Sequence, residues 1–190
     1  MKLKSNSRAT PAAVCAASIP LEKEKAPPKT ESLLMIQNTS VKPVIVPENG
    51  GTVVKAFGEQ ITFKLNAVDT GGALSLGSDV VPPGGGPPLH YHLNEDEVFI
   101  VHEGRIEYYI ENRWVELGPG GVVFAPRNVP HCFRNPSDKP ARHWTVFLPS
   151  GFETFFGRCA AEFAKPGGPD MARIKAISSE HDIHYVQPSA

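Results

Sequence analysis

The stretch HYHLNEDEVFIVHEG, residues 90–104, combines two histidines, a polar turn sequence and a strongly apolar run. On a β-strand, residues i and i+2 point to the same face, so His90 and His92 project together. Two imidazoles at this spacing can share one metal ion through their Nε2 atoms, at about 2.1 Å each. The stretch is therefore either a solvated hairpin that is rich in polar residues or one side of a metal site.

The carboxylates of this stretch favour the metal site. Glu97 begins the apolar run EVFIVHEG, and a buried carboxylate without a partner is very unfavourable. Glu95 and Asp96 belong to the turn sequence, where we expect solvent to surround them. If Glu97 faces inward, strand alternation turns His102 outward and makes it a surface residue.

A second histidine-bearing segment, PGGVVFAPRNVPHCFRN at residues 119–135, follows the first. A strand and a proline-bounded turn would bring His131 to the same interior, whereas Cys132 alternates away from it. The combined set is three imidazoles and the Glu97 carboxylate. Such a set suits one divalent transition metal, namely Fe(II), Mn, Ni, Co or Zn, rather than calcium or magnesium.

Short apolar runs separated by turn sequences characterise the chain from about residue 50. The 190 residues include 19 prolines and 17 glycines, which favours many turns and short strands over long helices. We therefore predict an all-β fold, an antiparallel sandwich or barrel. Helical spacing of apolar residues occurs in GFETFFGRCAAEFAK, residues 151–165, and Asp170 suits the N-cap of a second helix. The aromatic side chains of the first helix are expected to serve packing.

Three segments are predicted along the chain. Residues 1–34 mix charges, small residues and prolines without periodicity, which indicates a disordered N-terminal extension; a weak signal or transit peptide is the alternative. Residues 35–150 would form the barrel, and residues 151–190 a helical C-terminal segment with one or two short helices. The barrel would be a single domain, because no internal repeat is visible.

Composition limits the partners and the compartment. With 19 basic and 20 acidic residues, the chain has no charge excess that would favour nucleic acid or an anionic membrane. Three cysteines without CxxC spacing favour a reducing compartment, so we expect a cytoplasmic protein. The expected partner is a small-molecule substrate, and a homodimer is left open as the assembly.

Two other motifs are interpreted without a catalytic role. PPGGGPP, residues 82–88, is glycine-rich but lacks the Lys-Ser/Thr pair of a phosphate-binding loop, so it is interpreted as a rigid connection. His181 and His184 lie far along the chain from the two histidine segments, and we expect both to be surface residues.

The two histidine segments resemble the paired motifs of the cupin superfamily, in its single-domain, quercetin-dioxygenase-like form. The matching positions are Gly84, His90, His92, Glu97 and Gly104 in the first motif, and Gly120, Pro126, His131 and Asn135 in the second. Asn128 stands where the second motif usually has glycine, and asparagine tolerates the left-handed backbone that a turn needs there. The resemblance implies an antiparallel jelly-roll β-barrel with His90, His92, Glu97 and His131 as metal ligands.

The resemblance leaves the reaction open, because cupins include enzymes of several classes and non-catalytic binders. The expected function is that of a metal-dependent oxidoreductase of dioxygenase type with an aromatic or enol-bearing substrate. Glu97 could act as a general base as well as a ligand. The candidate walls of the substrate pocket are Phe99, Val101, Tyr108 and Phe133. The alternatives are a non-redox enzyme (an isomerase, decarboxylase or cyclase) and a small-molecule-binding cupin without turnover.

Overall fold

The computed structural model describes residues 41–186, and this part of the chain is mostly antiparallel β-structure. Its strands are β1 (Thr52–Ala56), β2 (Glu59–Leu65), β3 (Ser75–Val81), β4 (His90–His92), β5 (Asp96–Glu103), β6 (Ile106–Ile110), β7 (Arg113–Leu117), β8 (Val122–Ala125), β9 (Cys132–Arg134), β10 (Ala141–Leu148) and β11 (Ile183–Tyr185). Its helices are α1 (Ala67–Thr70), α2 (Phe152–Phe163) and α3 (Met171–Glu180). Residues 1–34, predicted to be a disordered extension, lie outside the described residues.

The strands form three separate sheets, and the strands within each sheet pair antiparallel. A six-stranded sheet has the order β1-β2-β3-β10-β5-β8, a three-stranded sheet has the order β7-β6-β9, and β11 pairs with β4. The rings of Phe99 on β5 and Phe133 on β9 meet edge to face with centroids 5.7 Å apart, so the two larger sheets pack face to face. This is a jelly-roll architecture, and it confirms the predicted all-β fold.

Strand alternation fills the space between the sheets. Along β2, β3 and β10, every second side chain is buried, as expected for strands with one face on a core. Two apolar clusters result. One joins β2 and β10 to the C-terminal elements, and the other joins β5, β6 and β9.

The C-terminal segment contains the two predicted helices. The ring of Phe152, at the start of α2, stacks on Phe147 of β10 with centroids 4.1 Å apart. The side chain of Asp170 accepts hydrogen bonds from the backbone N–H groups of Ala172 and Arg173, so the predicted cap of α3 is confirmed. Within residues 41–186, no helix is both long and apolar enough to cross a membrane.

Strand β11 is an element that the sequence did not predict. Ile183 pairs with His92, and His184 pairs with Tyr91 on β4. The His184 ring stacks on the Tyr91 ring with centroids 5.1 Å apart, and both His181 and His184 are only partly exposed. The prediction that His184 is a surface residue remote from the histidine segments is therefore wrong. A three-residue strand is too short to show an alternating pattern.

Candidate metal centre

Three histidines and one glutamate meet inside the jelly roll. His90 and His92 lie on β4, Glu97 lies on β5, and His131 immediately precedes β9. All four residues are buried, and one ligand atom from each lies within 4.8 Å of the others. The structure thus brings together the four residues that the sequence predicts as ligands, in an arrangement compatible with a metal site.

Backbone pairing holds the two histidine segments in register. The N–H of His90 donates to the carbonyl oxygen of His131 at 3.1 Å, and the N–H of His131 donates to the carbonyl oxygen of His90 at 2.8 Å. Asn128 has a φ of 67°, in the left-handed region that asparagine tolerates. Its N–H donates to the carbonyl oxygen of His92 at 2.7 Å. The turn therefore forms with asparagine in place of glycine, and it ties the second segment to the first.

The outer nitrogen of two imidazoles faces a backbone carbonyl. Nδ1 of His90 lies 2.8 Å from the oxygen of Pro88, and Nδ1 of His131 lies 2.8 Å from the oxygen of Val129. A carbonyl oxygen can only accept, so these contacts assign a proton to each Nδ1 and turn each Nε2 towards the cluster. Outer hydrogen bonds of this kind fix the orientation and tautomer of metal-binding histidines.

The inner nitrogens face the Glu97 carboxylate. Nε2 of His131 lies 2.6 Å from Oε2 of Glu97, and Nε2 of His92 lies 3.8 Å from the same oxygen. Within the described residues, the buried Nε2 of His92 has no hydrogen-bond partner, which is unfavourable for a polar atom away from water. A divalent cation among the four ligands would satisfy this nitrogen and take the place of the proton between His131 and Glu97. The residues present therefore fit a transition-metal ion.

Charge within the cluster sets the ionisation of its members. Burial raises the pKa of Glu97, but the charge of His92 and the hydrogen bond from His131 outweigh burial and hold this pKa at about 2. Burial, reinforced by His131 and His92, lowers the pKa of His90 to about 3. Burial also lowers the pKa of His131. The hydrogen bond and the charge of Glu97 raise this pKa by more than burial lowers it, so the pKa of His131 lies above its ordinary value. Glu97 and His90 are thus held in the forms that bind metal.

Glu95 is buried, and the prediction that solvent surrounds it is wrong. Its Oε2 lies 3.4 Å from Nδ1 of His92, so Glu95 faces the outer nitrogen of the one ring that has no carbonyl there. Asp96 is partly exposed and bonds Nε and Nη2 of Arg127 at 3.0 and 2.9 Å. The two neighbouring acids differ because Glu95, three positions after His92, reaches back to that ring.

A narrow, mostly apolar cavity adjoins the cluster. His90 and Glu97 form part of its wall, together with Phe99 and Phe133, two of the four residues predicted to line the substrate pocket. Much of the remaining wall is apolar and comes from β10, α2 and β11: Phe147, Phe152, Phe155, Phe156 and Ile183. Helical spacing alone could not show that the aromatic face of α2 borders a cavity as well as packing against strands.

Val101 and Tyr108, the other two predicted wall residues, do not line this cavity. Both are buried, and Tyr108 bonds Nδ1 of His143 through its hydroxyl at 2.7 Å. Val101 pairs with His143 across β5 and β10. Both side chains point inward as alternation predicts, but alternation gives the face of a strand and not the position along it that reaches the cavity.

Two buried carboxyl groups in the cavity wall were missed by the sequence predictions. Glu59 begins β2 and Asp79 lies on β3. Oδ2 of Asp79 accepts a hydrogen bond from the Thr145 hydroxyl at 2.5 Å, and Nε2 of His143 lies 3.2 Å from the same oxygen. The available signal was the alternation in EQITFKL, which places Glu59 on the same face as Ile61.

Comparison with known proteins agrees with this geometry. The family model of the cupin domain matches residues 78–147, a range that contains the whole cluster. An uncharacterized protein of Methanocaldococcus jannaschii is 24% identical over 113 residues, which make up 60% of this chain and 84% of that protein. Quercetin 2,3-dioxygenase of Bacillus subtilis is 30% identical over 92 residues, or 46% of this chain. This second match spans 26% of the dioxygenase.

One solved structure supports the fold independently. A predicted oxalate decarboxylase from Thermotoga maritima aligns over 56% of this chain and 99% of its own, with a TM-score of 0.51 and 18% sequence identity. At this identity the similarity shows the fold alone. The family match, the fold and the two histidine motifs agree with one another: residues 78–147 match the cupin domain, and this supports the resemblance to the cupin superfamily.

Proposed function

We propose that this protein is a metal-dependent oxidoreductase of dioxygenase type that acts on an aromatic or enol-bearing small molecule. One observation carries the proposal: a buried cluster of three histidines and a glutamate opens into a cavity with aromatic walls. The similarity to a quercetin 2,3-dioxygenase, a cupin named for an aromatic substrate, adds support.

The chain's own residues would bind the metal ion, orient the substrate and accept a proton from it. His90, His92, Glu97 and His131 would hold the ion, which when bound would supply a redox-capable Lewis acid. The aromatic walls would orient a flat substrate and exclude water.

Glu97 would also be the acceptor for a substrate proton. Glu97 forms part of the cavity wall, and its low pKa keeps it ionised. A carboxylate placed against the hydroxyl of an enol can accept that proton and favour the enolate. We further propose a cytoplasmic location and a freely diffusing small-molecule partner, which the cysteine pattern and the charge balance favour.

Dioxygen uptake tests the proposal. The protein would be loaded separately with Fe(II), Mn, Co, Ni and Zn, and screened with flavonols, enols and aromatic keto acids in an oxygen electrode. We expect uptake that requires both substrate and a redox-active metal, and that is lost in His131→Ala but kept in His102→Ala. Substrate consumption without dioxygen uptake would instead identify a non-redox enzyme, and binding without consumption would identify a binding protein.

A further inference from the structure

The cavity has a second polar region, at a distance from the cluster of His90, His92, Glu97 and His131. Across β10, Phe147 pairs with Glu97 and His143 pairs with Asp79. These two positions of β10 are four residues apart, which corresponds to about 13 Å along the strand. The carboxyl pair of Glu59 and Asp79 therefore marks one end of the cavity, and the metal cluster marks the other.

The carboxyl pair is buried and only partly satisfied. Glu59 is 7% exposed and Asp79 is 5% exposed. The Asp79 carboxylate accepts a hydrogen bond from the Thr145 hydroxyl. By contrast, Oε1 of Glu59 is buried and has no hydrogen-bond partner in the part of the chain that the structure describes. Buried polar atoms in native proteins are nearly always paired, so this oxygen is available to a hydrogen-bonding group that enters the cavity which Glu59 lines.

The ionisation of Glu59 suits such a partner. Burial, with a smaller contribution from the charge of Asp79, raises the pKa of Glu59 to about 8. A carboxylic acid that keeps its proton at neutral pH can both donate and accept a hydrogen bond. A hydroxyl group can do the same, so the two groups complement each other without placing a new charge in the cavity.

The walls between the two ends define the rest of the ligand. Phe99, Phe147 and Phe152 line the cavity, and the Phe147 and Phe152 rings are nearly parallel, with an interplanar angle of 9°. Aromatic walls favour a flat, apolar body. A ligand that spans the cavity therefore needs an aromatic ring between two polar ends.

We propose that Glu59 is a specificity-determining residue that binds a hydroxyl group on the aromatic ring of the substrate, at the end opposite the oxygens held at the metal cluster. Asp79 is the second buried carboxyl group at this end of the cavity. The substrate class is then a hydroxylated aromatic compound with an enol or keto group at its other end. This inference rests on the proposed function for the direction in which the substrate binds, but it concerns recognition and does not require turnover.

Two matched probes test the assignment. Phenylpyruvate and 4-hydroxyphenylpyruvate both carry an enolisable keto acid and differ only in the ring hydroxyl. Their affinities for the metal-loaded protein would be measured by calorimetry without dioxygen. For the unaltered protein we expect 4-hydroxyphenylpyruvate to bind about tenfold more tightly, since a pocket with an unpaired buried polar group discriminates against a ligand that leaves it unpaired.

The variants Glu59→Met and Glu59→Gln test whether Glu59 is the source of the difference in affinity between the two probes. Glu59→Met should reduce the affinity ratio to about one while leaving phenylpyruvate binding within about twofold, because only the ring hydroxyl loses its partner. Glu59→Gln keeps a donor and an acceptor and should retain part of the preference. Glu103→Gln, an exposed acid on β5, is the matched control and should keep the full ratio.

Equal affinities of the unaltered protein for the two probes, binding of neither, or an unchanged ratio in Glu59→Met would each overturn the assignment. Its failure remains distinguishable from that of the proposed function. Selective binding without dioxygen uptake contradicts only the dioxygenase reaction. Dioxygen uptake without selectivity for the ring hydroxyl contradicts only the role of Glu59.

Discussion

Glu97 and Glu59 are two buried glutamates that line one cavity, yet their pKa values move in opposite directions. The imidazoles around Glu97 hold its pKa at about 2, in spite of burial. Burial and the charge of the neighbouring Asp79 raise the pKa of Glu59 to about 8. Desolvation acts in the same direction on both residues, so the charges of the neighbours decide the difference. The same wall thus offers an ionised carboxylate at one end and a carboxylic acid at the other.

The largest expected effect is at the metal end, where His131→Ala removes one of the four predicted ligands. Metal affinity should fall at least tenfold, because even an outer partner of a ligand contributes about that much. The fold should persist, since the apolar clusters do not include this side chain. Bound metal would be measured by mass spectrometry after identical loading.

His102→Ala is the control for this prediction. His102 is exposed on β5, the strand that also carries Glu97. Its metal content should equal that of the unaltered protein. Loss of metal in His102→Ala with retention in His131→Ala would show that the ligand set is wrong.

Metal removal should lower thermal stability. A ligand at about a thousandfold above its dissociation constant stabilises the folded state by about 4 kcal/mol. For a chain of this size that corresponds to a melting temperature roughly 10 °C higher with metal than without it. Calorimetry before and after chelation, with each metal then restored, measures the shift. A melting temperature that no metal restores would contradict a bound ion at the cluster.

The buried Glu59 should make the stability of the folded state depend on pH. Between the ordinary glutamate pKa of 4.5 and the folded value of about 8, the folded state binds more protons at Glu59 than the unfolded state does. Stability should therefore fall as pH rises through this range, by a few kcal/mol in order of magnitude.

Glu59→Gln isolates this contribution, because glutamine has the shape of the neutral acid and does not ionise. The variant should melt several degrees higher than the unaltered protein at pH 8 and within about 2 °C of it at pH 4.5. Melting would be followed at constant ionic strength. Equal slopes of stability against pH for the two proteins would mean that Glu59 is ionised at neutral pH.

A smaller effect is expected at Glu95, which contacts a ligand without belonging to the cluster. Glu95→Gln weakens the acceptor that faces Nδ1 of His92, so metal affinity should fall by about threefold to tenfold, at the low end for outer partners because the contact is long. Asp96→Asn is the matched control on the adjacent residue, which pairs with Arg127. Equal metal affinities for the two variants would remove Glu95 from the site.

The metal end could be predicted from the sequence because its information is local. Alternation places His90 and His92 on one face, and an apolar run after Glu97 demands a partner for the carboxylate. The second motif added His131 through a turn whose asparagine fits the required backbone. Each candidate ligand is indicated by residues within one short segment, and the resemblance to the paired cupin motifs brings the two segments together.

The distal end could not be predicted because its information lies in strand pairing. Glu59 and Asp79 are on different strands, and the β2–β3 register that brings them together does not follow from composition or alternation. The pairing of β11 with β4 could not be predicted for the same reason, because it joins segments that are far apart in the sequence. Alternation did place Tyr108 inward, but the cross-sheet bond to His143 that keeps it from the cavity depends on pairing of β10.

The pairing of β11 with β4 has a consequence for the order in which the protein can be assembled. Ile183 pairs with His92 and Tyr185 with His90, so the strand that carries two ligands receives its partner from the far C-terminal side of the chain. During synthesis the N-terminal part emerges first, and both histidine motifs leave the ribosome before β11 does. A nascent chain thus exposes all four ligands while one edge of the histidine strand is still unpaired. The final form of the histidine cluster therefore waits for β11, and a change within β11 would act on the histidine strand although it leaves all four cluster residues in place.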